Sequence, residues 1–425
     1  MAMAPTSDAA AQGTQHIDAP DLRAFVFGLF FVFGGITSLN DVIIPKLKDL
    51  FTLNYGQALL VQSAFFAAYF LFSLPAAAVV RRAGYLRTAA LGLVLMTAGC
   101  LLFIPASSSG TFGVFLFALF VLAAGITVVQ VVANPLISLL GPPATAPSRL
   151  TFAQAFNSLG TTIFPFVGSI LILGGLARID PATLSGPALD AYRTAETQTV
   201  VHTYLGLAAA LLVVAVVVWS RRGRLNETHD RTGSIFHALT LLAGPRFAIG
   251  ALCIFLYVGA EVAIGSLIVS YLEQGDVMGL DPLAAGKHVP LYWGGALIGR
   301  FVGSAVLRLV SPGKVLACAA IGAIALIGLS SNIEGAASGY ALLAVGLMNS
   351  VMFPTIFALA SEGLGPRAAE GSGIIATAIV GGAAIPPLTG MLADASSLRF
   401  AMLLPALCYV VIALYGTVAR RLATR

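Results

Sequence analysis

Charge is what this sequence has least of. Asp, Glu, Lys and Arg together make up 10% of its 425 residues, where a soluble domain carries about 25%. That deficit excludes an ordinary water-soluble enzyme and a charged, disordered scaffold. Cysteine is scarce as well: Cys100, Cys253, Cys318 and Cys408 lie far apart inside apolar runs, with no CxxC and no histidine at ligand spacing. This excludes a disulfide framework or a cysteine-held metal, and the four read as small packing residues. The five histidines, His16, His202, His229, His237 and His288, fall mostly in tails and loops, and HExxH, GxSxG and paired catalytic carboxylates are missing. An intramembrane enzyme therefore has little support. A channel would need a ring of charges or a repeated filter loop, and neither is present. Met1 to Asp21 lack the basic and apolar regions of a signal peptide and are expected to form a disordered cytoplasmic tail.

What is abundant is apolar surface: 58% of residues are hydrophobic, and the mean hydropathy is +0.94. A helix crosses a hydrocarbon core of about 30 Å with roughly 20 residues. Such windows occur at residues 24–44, 56–80, 87–105, 112–138, 150–173, 200–219, 246–272, 288–310, 314–332, 337–361, 370–392 and 397–419. The expected fold is an all-α membrane protein with twelve transmembrane helices in two pseudo-symmetric six-helix bundles, residues 24–219 and 246–425. Residues 1–23 would be the tail, and the polar stretch 220–245, with Arg221, Arg222, Arg224, His229 and Arg231, a cytoplasmic linker.

The formal net charge of +5 does not imply nucleic acid, because the basic residues sit in short loops instead of on one face. With the N-terminus inside, 16 Lys and Arg fall on one side of the membrane and 6 on the other, with Arg300 inside a span. The positive-inside rule then places both termini in the cytoplasm.

The halves repeat. GITVVQVVANPLISLLG and VGLMNSVMFPTIFALAS superimpose with Pro135 on Pro354 and Gln130 on Asn349; LGTTIFPFVG and VGGAAIPPLTG superimpose with Gly160 on Gly381 and Pro165 on Pro386. Arg81 and Arg87 fall on Arg308 and Lys314 at the same offset. Two like-oriented repeats facing each other across a midplane cavity can rock between two access states, which is a transporter architecture. The 45 glycines and 21 prolines suit close helix approach and broken helices.

An ionisable group in hydrocarbon is costly unless paired or wetted, so intramembrane charges mark function. The sequence offers three: Asp41, beside Asn40 near the outer end of the first span, Glu261 in the seventh and Arg300 in the eighth. Asp41, with Pro45 close behind, suggests a broken helix end lining a cavity and a carboxylate that binds a proton or sodium ion. Glu261 is either an assisting cation or hydroxyl ligand or half of a buried ion pair with Arg300. Arg300, Arg81, Arg87 and Arg308 are expected to be structural or gating residues.

Amides are the more telling set. Gln62, Gln130, Asn134, Gln154, Asn157 and Asn349 lie in four spans among apolar neighbours. Gln130 and Asn134 share a helix face, as do Gln154 and Asn157. A single intramembrane amide is ordinarily interhelical glue worth about 0.6 kcal/mol; several converging on one cavity would match the hydroxyls of a neutral solute. Asn40 joins this set, with Phe65, Tyr69, Tyr257, Tyr292 and Trp293 as aromatic surfaces for an apolar ring face. Export of amphipathic drugs by proton antiport is the alternative, and would prefer an apolar cavity with few amides.

These motifs carry a resemblance. LNDVIIPKLKDLF, LVQSAFFAAYFLFSLPA, VVANPLISLLGPP, RLTFAQAFNSLGTTI, IGRFVG and FPTIFALA resemble the fucose/galactose/glucose:cation symporter branch of the major facilitator superfamily, from about Phe25 to Ala419. The resemblance implies the twelve-helix major facilitator fold and puts Asp41 at the branch's essential carboxylate. Fucose carriers place a Glu five residues before the Asn-Pro proline, where this chain has Gln130. That difference, with VGAEVAIGS around Glu261, looks more like the glucose/galactose and N-acetylglucosamine carriers. VVRRAGYLR departs from the usual loop signature, with Arg81 where many superfamily members have Asp. The expectation is a monomeric hexose importer in a bacterial-type inner membrane, driven by sodium or protons, without cofactor or nucleic-acid partner.

Overall fold

The computed structural model describes residues 20–51, 55–109, 111–168, 186–225 and 235–419; the side chains of 20, 40–51, 55–62, 165, 189–196, 235–236 and 282–283 lie outside that description. The expected linker and N-terminal tail are thus described only in part.

Among the described residues, twelve helical segments follow one another. In the first half they are α1 (Pro20–Phe51), α2 (Tyr55–Ala83), α3 (Tyr85–Leu101, continued by Phe103–Ser109), α4 (Phe112–Leu139), α5 (Ala146–Gly168) and α6 (Pro187–Ser220). In the second they are α7 (Pro245–Glu273), α8 (Val289–Leu309), α9 (Pro312–Asn332), α10 (Ala336–Asn349 and Met352–Ser361), α11 (Ala368–Ala378 and Gly381–Ala395) and α12 (Leu398–Ala401 and Leu403–Val418). A 3-10 turn precedes both α5 (Pro143–Thr145) and α11 (Gly365–Arg367). Gly84, at φ 88°, makes the tight corner between α2 and α3, a backbone region where a Cβ is costly.

Packing repeats with the sequence. α1 lies on α5, α2 and α3 on α4, and α3 on α6; in the second half α7 lies on α11, α8 and α9 on α10, and α9 on α12. Two glycines show how close the equivalence is. A Cβ on Gly160 would collide with the carbonyl of Phe31, and one on Gly381 with the carbonyl of Phe255. Each marks the crossing of a bundle's first and fifth helices, where only hydrogen allows backbone to touch backbone. The bundles meet along two matching seams, α2 with α11 and α8 with α5.

Exposed apolar residues such as Phe70, Phe117, Phe166, Val213, Ile298 and Leu407 give the outer surface a lipid-like character. Ten helical stretches of the described residues are long and apolar enough to cross a membrane, and α5 and α8 are not among them. Those two carry Gln154, Asn157, Arg300 and Arg308 and shelter each other across a seam.

Breaks fall just ahead of prolines in both halves: α3 is interrupted at Leu102 before Pro105, α10 after Asn349 before Pro354, and α12 at Met402 before Pro405. α4 runs unbroken past Pro135. The broken helix end expected at Asp41 is not found: α1 is continuous to Phe51, so Asp41 and Pro45 lie within it. Pro45 has no N–H to give the Asp41 carbonyl, and the helix accommodates the lost bond without ending.

Candidate functional site

Four of the predicted amides gather on the inner helices of the first bundle. The Tyr69 hydroxyl donates to Gln130 Oε1 at 2.6 Å, tying α2 to α4. Gln154 Nε2 donates to Asn134 Oδ1 at 3.4 Å, and Asn157 Nδ2 donates to the Phe30 carbonyl on α1 at 3.3 Å. Asn134 and Gln154 are buried, whereas Gln130 and Asn157 are half-buried. Among the described residues, Gln130 Nε2 and Asn157 Oδ1 have no protein partner, so one donor end and one acceptor end remain for a solute. Phe65 and Tyr69 are buried beside this cluster. The side chains of Asn40, Asp41 and Gln62 lie outside the described residues.

The second bundle holds a tyrosine network around Glu261. Tyr257 OH donates to Glu261 Oε1 at 2.8 Å and lies 3.0 Å from the Asn349 carbonyl. Tyr292 OH donates to the Glu261 carbonyl at 3.2 Å and accepts from Asn349 Nδ2 at 2.8 Å. Tyr409 OH donates to Asn349 Oδ1 at 2.7 Å. Asn349, expected to bind solute, is 1% exposed with both amide ends taken by tyrosines. Tyr257 and Tyr292, expected as ring surfaces, are as deeply enclosed, and their hydroxyls serve the network. Trp293 is half-exposed and packs edge-on to Tyr292, centroids 5.0 Å apart. Glu261 Oε2 has no protein donor among the described residues.

Arg300 stands where the two clusters meet. It donates to the Ser158 hydroxyl and to the Gln154 carbonyl (3.3 Å) on α5, and to the Ser350 carbonyl (3.4 Å) on α10. The Glu261–Arg300 ion pair, one of the two readings of Glu261, is not formed. Arg300 directs three hydrogen bonds to hydroxyl and carbonyl oxygens instead, and those to Ser158 and Gln154 join the two bundles.

Near the chain termini the seams carry a second set of contacts. Arg81 on α2 pairs with Glu370 on α11 at 2.5 Å, with 9% and 4% of their side chains exposed. Arg367 and His237 reach the same carboxylate at 2.7 Å and 3.2 Å. His237 belongs to a 3-10 segment, Ile235–Ala243, that packs on α2, α7 and α11. The expected linker thus includes a structured clasp. In the matching seam, Ser148 donates to the Ser304 carbonyl at 2.7 Å and Arg308 Nε to Ser148 Oγ at 3.3 Å. Arg87 is exposed and makes no such contact among the described residues.

Glu370 and Tyr409 were not singled out from the sequence. One signal could have found Glu370: the register that superimposes Pro165 and Pro386 sets it on Arg149, a charge reversal at equivalent positions. Arg149 turns back into its own bundle and caps the carbonyls of Ile137, Ser138, Gly141 and Pro142. Nothing distinguishes Tyr409 in its apolar span. Two apolar crevices, of about 510 Å³ beside Leu39, Phe164 and His202 and about 400 Å³ beside Phe27, Phe31 and Phe156, touch neither polar cluster.

Two six-helix repeats joined at two matching seams, with a polar cluster in each and Arg300 bridging them, define a multi-pass membrane transporter. The chain belongs to the major facilitator superfamily, whose family model matches residues 25–387. It is 45% identical over 401 residues to a glucose/galactose transporter of Brucella abortus, covering 92% of each chain. It is 32% identical over 410 residues to the L-fucose-proton symporter of Escherichia coli, covering 94% of this chain and 93% of that one. The crystal structure of the Escherichia coli fucose:proton symporter superimposes with a TM-score of 0.85 at 30% identity, covering 94% of this chain and 98% of that one.

Proposed function

We propose that this protein is a secondary active symporter that imports a hexose of the glucose/galactose type together with a proton by alternating access. It would lie in a bacterial inner membrane with both termini in the cytoplasm, the side favoured by the distribution of Lys and Arg. The observation that carries the reading is the set of polar ends without a partner among the described residues: Gln130 Nε2, Asn157 Oδ1 and Glu261 Oε2. A hydroxyl-rich neutral solute needs donors and acceptors on two sides, and an amphipathic drug would leave these unpaired at about 1–3 kcal/mol each. The 45% identity to a glucose/galactose transporter supports the sugar, and the kinship with proton symporters supports the coupling ion.

In this reading Asn134 and Gln154 brace the hydroxyl-binding amides, Trp293 offers a ring face, and Asp41 takes up the proton with Glu261 assisting. Asn40 and Gln62 complete the lining from α1 and α2. The contacts of Arg81, Arg300 and Arg308 across the seams correspond to a state closed on the cytoplasmic side. Coupling requires that proton and sugar each favour the same occluded state. Uptake of radiolabelled glucose, galactose, mannose, N-acetylglucosamine and fucose into proteoliposomes tests this, under an imposed proton gradient and separately under a sodium gradient. Hexose accumulation under the proton gradient alone is expected. Accumulation driven by sodium alone would overturn the coupling ion, and no accumulation of any sugar would overturn the function.

A further inference from the structure

Where α10 breaks, two successive carbonyls are held by side chains from neighbouring helices. Pro354 has no N–H, so the Ser350 carbonyl four residues earlier lacks its helical donor and takes Arg300 Nε at 3.4 Å. The Asn349 carbonyl receives Tyr257 OH at 3.0 Å, yet the same hydroxyl lies 2.8 Å from Glu261 Oε1. A phenol has one hydrogen to give.

The rest of the network has no freedom. The Glu261 carbonyl can only accept, so it claims the hydrogen of Tyr292. The Tyr292 oxygen must then accept from Asn349 Nδ2, which turns Asn349 Oδ1 toward Tyr409 and fixes that hydrogen too. Tyr257 alone has two acceptors, one a carboxylate and one at the break in α10.

We propose that Tyr257 is a positioning residue that carries the charge state of Glu261 to the break in α10. With Glu261 ionised, the hydrogen sits on the carboxylate, since a charge-assisted hydrogen bond is roughly twice as strong as a neutral one. With Glu261 neutral, it turns to the Asn349 carbonyl and holds the break. The groups facing Glu261 are Tyr257 on its own helix, Tyr292 and Arg300 on α8, Asn349 on α10 and Tyr409 on α12. α11 packs against this stretch of α7 with Gly381, Gly382 and Ile385, none of them titratable. Because the lower piece of α10 packs on α7 and α5, a firmer break is felt at the seam between the bundles. The proposal does not depend on the solute being a sugar.

Hydrogen–deuterium exchange of residues 350–355 in the full chain in nanodiscs reads the break directly and needs no solute. Glu261→Gln, which fixes the side chain neutral, is expected to slow exchange there by about 3- to 10-fold, the size of one net hydrogen bond. In a Tyr257→Phe background the same change is expected to have no effect, with peptides of α4 unaltered as the folding control. An equal effect in both backgrounds would overturn the proposal, because the signal would bypass Tyr257. Should Tyr257→Phe fail to fold, the Glu261→Gln arm stands alone, and unchanged exchange in it is sufficient to reject the idea.

Discussion

The hydroxyl of Ser372 on α11 donates to the carbonyl of Val131 on α4 across the bundle interface, at 2.9 Å. Val131 is four residues before Pro135, so its carbonyl is the one that Pro135 leaves without a helical donor. The equivalent proline of the second half, Pro354, frees the Ser350 carbonyl, and Arg300 takes it while also reaching α5. Both repeats therefore offer a proline-freed carbonyl to a side chain that engages the opposite bundle or bridges to it. Replacing Ser372 by Ala should remove about 1 kcal/mol from the closed seam, a roughly 5-fold change in the ratio of states. Spin labels at the exposed positions 87 and 314 would report it as a gain in the longer-distance population.

Glu370 gathers the buried Arg81 and the more exposed Arg367 and His237, so removing it takes the carboxylate away from the buried Arg81 guanidinium. Glu370→Gln is expected to cost about 3–5 kcal/mol in the closed state, as for other broken buried pairs. The double variant Arg81→Gln with Glu370→Gln should be less damaged than Glu370→Gln alone. Melting temperatures of the four proteins in detergent would give the coupling, and strict additivity would refute the pairing.

Gly160→Ala and Gly381→Ala each place a methyl group against a backbone carbonyl at a helix crossing. Each should destabilise its own bundle by about 1–3 kcal/mol. Gly28→Ala, with open space around it, serves as the control in thermal unfolding.

Tyr69→Phe removes the donor that orients Gln130 while leaving the packing surface in place. Sugar affinity should fall about 5-fold, the loss of about 1 kcal/mol of positioning. Gln130→Glu should instead introduce a titratable group and make affinity fall as the pH is raised through its pKa, because the ionised carboxylate has no donor to replace Gln130 Nε2. Equilibrium binding of labelled sugar between pH 5 and 8 distinguishes the two, since Tyr69→Phe should shift affinity equally at every pH.

Loss of the Asp41 carboxylate should uncouple transport without abolishing binding. Asp41→Asn is expected to keep sugar exchange between equal compartments and to lose accumulation against a gradient by at least about 10-fold. Normal accumulation by this variant would remove Asp41 from the coupling role.

The sequence by itself determined the number of spans, the duplication and the identity of the polar residues within them. Hydrocarbon imposes that: a chain with 10% charged residues must form spans of roughly 20 residues, and any amide among them stands out. Gly160 and Gly381, matched in the sequence, were found at equivalent helix crossings because such contacts depend on one small residue. Partnership was a tertiary decision. An ion pair between Glu261 and Arg300 was one reading of their charges, yet Arg300 directs its hydrogen bonds to hydroxyl and carbonyl oxygens of α5 and α10. Asn349 and Gln130 superimpose in sequence, but three tyrosines enclose the first while the second keeps a free end. Arg81 found Glu370 across 289 residues of chain, and Pro354 broke its helix while Pro135 did not. Hydrogen-bond partners are set by which helix faces meet, and span hydropathy carries no record of that.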